Sequence, residues 1–237
     1  MRCKIADVTF EITHKYKYLA KICEDFICSE KEKAECEISV TPADMEYEKS
    51  KAQDGNFPDY YIESLAVFRK ICDYILKNKD GILFHGSAVA VDGKAYIFTA
   101  PSGTGKSTHA ALWKNLLQDK MTYINDDKPI VRVIGGECFV YGTPWNGKHN
   151  LGSNVKVKLQ AVCEIIRAKD NRIEKISPKE MLSVIFHQTL VPDTLPEMDK
   201  YLQIIDKVLK NAELFRLYCN TESTAAEVSY NAMAGKE

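Results

Sequence analysis

An α/β fold is predicted for this chain, with a small α+β unit over residues 1–80 followed by a larger α/β unit over residues 81–237. Three observations carry the prediction. A strand, a glycine-rich loop and a helix follow one another between Lys94 and Leu117. Short β-rich runs separated by turns surround that segment, and the last third turns helical, with proline at its helix starts.

Residues 3 to 13 alternate as a strand, residues 17 to 28 read as a helix, and Glu37 to Thr41 reads as a second short strand. From Pro42 to Pro58 the composition shifts to Lys, Glu, Asp, Gln and Asn with Gly55, which is loop chemistry. Ile62, Leu65, Phe68, Cys72, Ile75 and Leu76 then fall at helical spacing, predicting an amphipathic helix from Asp59 to Lys79 that ends before Gly81. Strands are expected at Ile82–Phe84, Ser87–Val91 and Lys94–Thr99, the last two joined by an Asp92-Gly93 turn. Further strands are expected at Met121–Asn125, Ile130–Ile134, Cys138–Tyr141 and Ala161–Arg167. Ser177-Pro178-Lys179-Glu180 and Thr194-Leu195-Pro196-Glu197 both have the form of a capping box.

Composition excludes several function classes. The 237 residues are 45% hydrophobic and 27% charged, the balance of a folded globular protein. Lys plus Arg number 32 against 33 Asp plus Glu, so no global basic field draws the chain to nucleic acid or to an anionic membrane. No nucleic-acid or membrane partner is expected. The first residues have no uninterrupted apolar run of the signal-peptide kind, and a cytoplasmic location is the expectation. Eight scattered cysteines without a Cys-x-x-Cys pair suggest reduced thiols and neither a zinc site nor a disulfide framework.

The segment Ala100 to Thr108 meets the phosphate-loop pattern G-x-x-x-x-G-K-[ST] at every position but the first, where Ala100 stands. Glycines at 103 and 105 let successive backbone amides turn inward toward an anion, and the following helix aims its N-terminus at it. Ser102, Gly103, Thr104, Gly105, Lys106, Ser107 and Thr108 are the candidate phosphate-binding residues. Lys106 would face the β- and γ-phosphates, and the Ser107 hydroxyl would ligate Mg²⁺. Ala100 fits only if it keeps an ordinary negative φ. The competing reading is a glycine-rich helix entry with an incidental lysine.

Downstream, Met121 to Asp127 reads as a strand ending in two adjacent carboxylates. Beside a nucleotide's metal, one of the two carboxylates could bind the ion while the other orients or deprotonates an attacking hydroxyl; the plainer alternative is a solvated turn before Pro129. In the turn-rich segment Tyr141 to Asn150, Trp145 either covers a ligand or caps the core, and Lys148 is a candidate second cation for a transferring phosphate.

Leu83 to Ala88, Pro101 to Thr108 and Asn125-Asp126-Asp127 together resemble the nucleotide core shared by HPr kinase/phosphorylase and phosphoenolpyruvate carboxykinase. The resemblance covers residues 81 to 135, and it implies a phosphate-loop nucleotide core of that type preceded by the small α+β unit. Position by position, it implies that Lys106 and Ser107 are the loop lysine and the metal-binding hydroxyl. By the same resemblance Asp126 is the base, Asp127 its metal-side neighbour, and His85 a site histidine. The chain lacks both the large N-terminal domain of the carboxykinases and the Glu-x-Arg-Gly-x-Gly signature of HPr kinase, so it resembles divergent, kinase-like members. ATP with Mg²⁺, or Mn²⁺ in its place, is the implied cofactor set, and a serine of a protein or peptide the implied acceptor. A small-molecule acceptor, or a nucleotide-binding switch without catalysis, is the alternative. A homo-oligomer is possible on the same resemblance, and the first eighty residues would serve docking or assembly.

Overall fold

The computed structural model describes residues 1–51 and 57–235. The N-terminal unit opens on a hairpin where a single strand was expected. β1 (Arg2–Ile5) and β2 (Val8–Ile12) pair antiparallel, with Ala6 and Asp7 turning the chain at φ of 50° and 60°. Neither residue is a glycine, so the turn is invisible locally. It is held from outside, by Arg132 donating to the Ala6 carbonyl at 2.5 Å and Tyr141 donating to Asp7 at 2.7 Å.

The expected 17–28 helix is shorter: α1 (Lys17–Ile22) gives way to one 3₁₀ turn at Glu24–Phe26. β3 (Cys36–Ile38) runs parallel to β2 and completes a three-stranded sheet. The expected loop at 42–58 is corrected over its first part, because Pro42–Lys51 is a helix, α2. Thr41 and Asp44 exchange hydrogen bonds across its first turn in the manner of a cap, and Arg69 reaches back to Asp44 and Glu48. Its polar composition concealed it because α2 buries no residue. Gly55, quoted as loop chemistry, lies outside the described residues.

The amphipathic helix α3 spans Asp59–Lys79 as expected and buries Ile62, Phe68, Cys72 and Ile75. Phe68, Cys72 and Ile75 join Phe10, Leu19 and Phe26 of the N-terminal unit and Ile130, Tyr141 and Trp145 from beyond residue 81 in one hydrophobic cluster. α3 is therefore a shared wall. Trp145 takes the plainer of its two readings, stacked on Phe68 with ring centroids 4.2 Å apart and its indole N–H on the Ser64 carbonyl.

Beyond Gly81 a mixed, curled sheet forms. Its strands are β4 (Gly81–Leu83), β5 (Gly86–Val91), β6 (Lys94–Thr99), β7 (Met121–Asn125), β8 (Ile130–Ile134), β9 (Glu137–Tyr141) and β10 (Lys156–Arg167), in the spatial order β4-β8-β9-β10-β6-β5-β7. β10 begins five residues earlier than the expected Ala161. It borders β9 along its first part and then β12 (Glu213–Cys219), which also pairs β11 (Arg172–Lys175).

Helices cover both faces. α4 (Lys106–Leu117) and α7 (Ser223–Ala234) cover one, around Trp113, Phe98 and Tyr230; α5 (Pro178–His187) and α6 (Leu195–Asn211) cover the other, around Met181, Tyr201 and Ile205. The Ser177 capping box closes as its sequence indicates. The one at Thr194 does not, since Thr194 caps no amide and Glu197 turns to Lys77 of α3 at 2.7 Å. Among the described residues no helix is long and apolar enough to cross a membrane.

Truncating a buried aromatic costs about 3–5 kcal/mol. Phe68→Ala is expected to lose stability in that range by urea unfolding, with the double change at Phe68 and Trp145 costing less than the two singles added. Full additivity would show that the stack does not join α3 to the larger sheet.

Candidate functional site

Strand order assembles the site. β5 lies antiparallel between β6 and β7, so the start of β5 meets the ends of both: Gly86 stands opposite Thr99, and Ala88 opposite Asn125. His85, the loop after Thr99 and the Asp126-Asp127 pair thereby share one edge of the sheet. Gly86 is required there, because a Cβ would lie 2.8 Å from the Phe98 carbonyl oxygen. Thr99 Oγ1 donates to the His85 carbonyl at 3.1 Å and ties the two chain ends together.

In the glycine loop, Gly103 and Gly105 hold φ of +76° and +123°, which side chains with a Cβ rarely adopt. Ala100 is absent from the positive-φ positions and is fully buried, so alanine is accommodated at the pattern's first place. Lys106 opens α4 and is 7% exposed, its Nζ donating to the Ala100 carbonyl at 2.8 Å. Burial lowers its pKa; the charge of Asp127 works the other way and that of Lys128 reinforces the fall, so all three groups feel one another. Ser107 is half-buried and Thr108 exposed on the first turn of α4, and Ser102 is exposed in the loop.

The two carboxylates occupy opposite environments. Asp126 is 3% exposed; its Oδ1 accepts from the Gly147 amide at 2.6 Å, while its buried Oδ2 has no protein partner. Burial raises its pKa, and the neighbouring Asp127 adds to the rise against the Gly147 bond. Asp127 pairs with His85 Nε2 at 3.3 Å and with Lys128. Burial alone would raise the Asp127 pKa, but the His85 bond and the Lys128 charge outweigh it and hold the carboxyl at about 2. Asp127 is held as an anion, whereas the charged form of Asp126 is disfavoured by its burial.

Three contributors were given no role by the sequence reading. Asn125 is fully buried, its Oδ1 accepting from the Asp127 and Lys128 amides at 2.8 and 2.6 Å and its Nδ2 donating to Thr143 and Asn146. Its signal was an Asn at a strand end before a turn, a habitual backbone-bonding position. Gly147 brings its amide to Asp126, where a Cβ would stand 3.1 Å from Oδ2. Arg167, at the end of β10, donates to the Gly103 and Thr104 carbonyls and pins the loop from outside; nothing local marks it. Lys148 is exposed beside Gly147 and makes no ion pair among the described residues.

No protein-family model matches the chain, and no curated protein matches it. Among solved structures, the chain is similar to the structure of the Hpr(Ser) kinase/phosphatase from Coxiella burnetii. The likeness is distant: TM-score 0.36 and 9% identity over 65% of this chain and 97% of that one.

A groove of about 590 Å³ adjoins the site on the side of the first eighty residues, lined by α2 and α3, β4 and residues 190–194, with Lys128 in its wall. Among the described residues no group of three or more His, Cys, Asp and Glu side chains could hold a metal by itself.

The raised pKa of Asp126 has a consequence for stability. In the folded state its charged form is disfavoured, so stability falls as pH rises past the free-aspartate value of about 4. Asp126→Asn keeps the acceptor for Gly147 and removes that charge. Urea unfolding at neutral pH should give the variant the higher midpoint, with the gain vanishing below pH ~4; an equal or lower midpoint at neutral pH would show that the carboxylate is not strained.

Proposed function

We propose that this chain is an ATP-dependent phosphotransferase that moves the γ-phosphoryl group of MgATP to a hydroxyl, that of a serine in a protein or peptide. One observation carries the reading: a buried carboxylate with an unpartnered oxygen, Asp126, stands beside an ionised one, Asp127, whose charge reaches the lysine of a glycine loop at a helix start. Phosphoryl transfer needs these parts and little covalent chemistry from the protein.

In this reading the loop amides around Gly103 and Gly105 hold the phosphates, and Lys106 leaves the Ala100 carbonyl to neutralise them. Asp126 Oδ2 takes the proton of the acceptor hydroxyl. The hydroxyl oxygen bonds to the γ-phosphorus as the bond from that phosphorus to the β–γ bridging oxygen breaks, and ADP leaves. A carboxylate whose pKa is raised by burial suits a proton that must be accepted and then released. In this reading His85 orients Asp127, and the exposed Lys148 would meet the transferred phosphoryl group.

The donor set fits Mg²⁺ as the resident ion. Asp127 offers an ionised carboxylate and Ser107 a hydroxyl, both hard oxygen ligands, and with so few protein ligands the ion would keep waters and substrate phosphates, as Mg²⁺ does. Bound there, it would neutralise charge on the phosphates. Mn²⁺ takes a similar oxygen set and tolerates His85 as a nitrogen neighbour.

The groove walled by α2 and α3 supports a docking role for the first eighty residues, with Lys128 lining the groove and paired to Asp127. Its volume also lies within the range of small-molecule pockets, roughly 300–1,000 Å³, and this favours a small hydroxyl compound as the second reading. Competition of a candidate small acceptor against peptide phosphorylation separates the two.

Lys106→Ala is expected to abolish transfer and weaken MgATP binding in calorimetric titration. Asp126→Asn should keep nucleotide affinity while turnover drops about 10²–10⁴-fold, the usual contribution of a general base. Undiminished ADP formation by Asp126→Asn with an acceptor present would remove Asp126 from the base role.

A further inference from the structure

The start of α3 and the start of α1 together present an exposed aromatic patch. Phe57, just before α3, and Tyr60, in its first turn, are 44% and 43% exposed, and Tyr61 and Tyr18 are half-buried beside them. The four rings form one connected cluster: Tyr18 lies 5.0 Å from Tyr60 and 6.4 Å from Tyr61, and Phe57 lies 5.3 Å from Tyr61, centroid to centroid. Contiguous rings left in water mark a surface that meets a partner.

The cluster is held in place by a buried charge. Glu63, 4% exposed on α3, accepts from the amides of Lys15 and Tyr16 at 2.6 and 3.1 Å, one on each carboxylate oxygen. Such a carboxylate is tolerable only when bonded in this way, and its bonds fasten the entry of α1 to α3, which fixes Tyr18 against Tyr60 and Tyr61. Burial and the neighbouring Tyr61 and Tyr60 raise the Tyr18 pKa, and the charge of Lys128 opposes the rise, so the lysine paired with Asp127 stands within reach of the patch.

The cations beside the rings are unpaired. Lys15 and Lys17 are exposed on either side of Tyr16 and make no ion pair among the described residues; the Lys15 ammonium rests over the Tyr16 ring, 5.2 Å from its centroid. The acidic side chains that α3 contributes here are both engaged, Asp59 with Lys49 at 3.0 Å and Glu63 with the two amides.

We propose that this aromatic patch docks an acidic segment of the acceptor polypeptide, whose apolar side chain packs on the tyrosines while its carboxylates meet Lys15 and Lys17. The proposal rests on the phosphotransfer reading and adds the chemistry of the acceptor. Aromatic rings supply large contact area at small cost in ordering, and unpaired lysines at the rim select the sign of the partner. A segment held there lies on the Lys128 side of the patch and brings a serine next to it toward the carboxylate edge.

Fluorescence anisotropy on the full chain without nucleotide tests this with three labelled serine peptides of equal length. One carries Glu and Leu beside the serine, one has every Glu replaced by Gln, and one has every Glu replaced by Lys. Expected are affinity for the Glu peptide about tenfold or more above that for the Gln peptide, weaker binding still of the Lys peptide, and loss of the preference in the double variant Lys15→Glu, Lys17→Glu. Tyr60→Ser should weaken the Glu peptide by a similar factor, as an aromatic anchor does. Reversing two exposed lysines on the larger unit, Lys120→Glu with Lys169→Glu, makes the same change in net charge and should keep the preference. Unchanged MgATP affinity in calorimetry reports that each variant is folded. Equal affinities for the three peptides overturn the docking face alone, as does a preference that survives the Lys15 and Lys17 reversal or is lost equally in the control. Sedimentation showing that Tyr60→Ser dissociates a dimer of this chain, with peptide affinity untouched, overturns it in favour of a contact between copies. Failure of the unsubstituted protein to bind MgATP overturns the phosphotransfer reading and the acceptor role of this face with it.

Discussion

A single buried carboxamide governs the geometry of the site. Asn125 ends β7 with its oxygen turned back on the amides of Asp127 and Lys128, and its nitrogen reaches across to Thr143 and Asn146. The first pair of bonds imposes the turn that separates two adjacent carboxylates, and the second anchors the loop that carries Gly147 onto Asp126. Removing either partner of such a network leaves buried donors and acceptors unmet, at about 1–3 kcal/mol each. Neighbouring aspartates would otherwise share one environment. Here one bonds the Gly147 amide through a single oxygen and leaves the other without a partner, while its neighbour faces a histidine and a lysine.

The sheet multiplies that local control. An antiparallel strand between two others brings the beginning of one to the ends of both neighbours, so β5 converts three distant segments of sequence into one edge. The glycine loop is then braced twice, from within by Lys106 on the Ala100 carbonyl and from outside by Arg167 on the carbonyls of Gly103 and Thr104. Carbonyls held outward leave the amides free to face inward, which is the polarity an anion requires. Lys106 occupies a buried post whose carbonyl partners a phosphate could replace.

Much of this was legible in the sequence where the physics is local. Glycines at 103 and 105 announce a loop because only they tolerate the dihedrals it needs, and the α3 boundaries follow from apolar spacing and the turn at Asp80-Gly81. The failures are those of long-range contact. The Ala6-Asp7 turn is held by Arg132 and Tyr141, more than a hundred residues away. α2 was read as a loop because it buries nothing and so shows no apolar period, although Thr41 and Asp44 carry its cap. Arg167 and Gly147 act on atoms 63 and 21 residues distant, and no spacing rule reaches that far.

The same long-range packing sets what the first eighty residues can do. Their hydrophobic cluster is completed by Ile130, Tyr141 and Trp145 of the larger sheet, and Trp145 lies two residues before the amide that binds Asp126. A displacement of α3 would move Phe68, then the stacked indole, then the loop carrying Gly147, and so alter how strained the Asp126 carboxylate is. Because the groove is walled by the same α3, a ligand seated in it bears on that chain of contacts at its first link. In the proposed reading one aromatic stack would join docking to proton transfer: an occupant that pressed α3 inward would tighten the Gly147 amide on Asp126 and steady its charged form. One that drew the helix outward would weaken the Gly147 bond and leave the carboxylate more readily protonated.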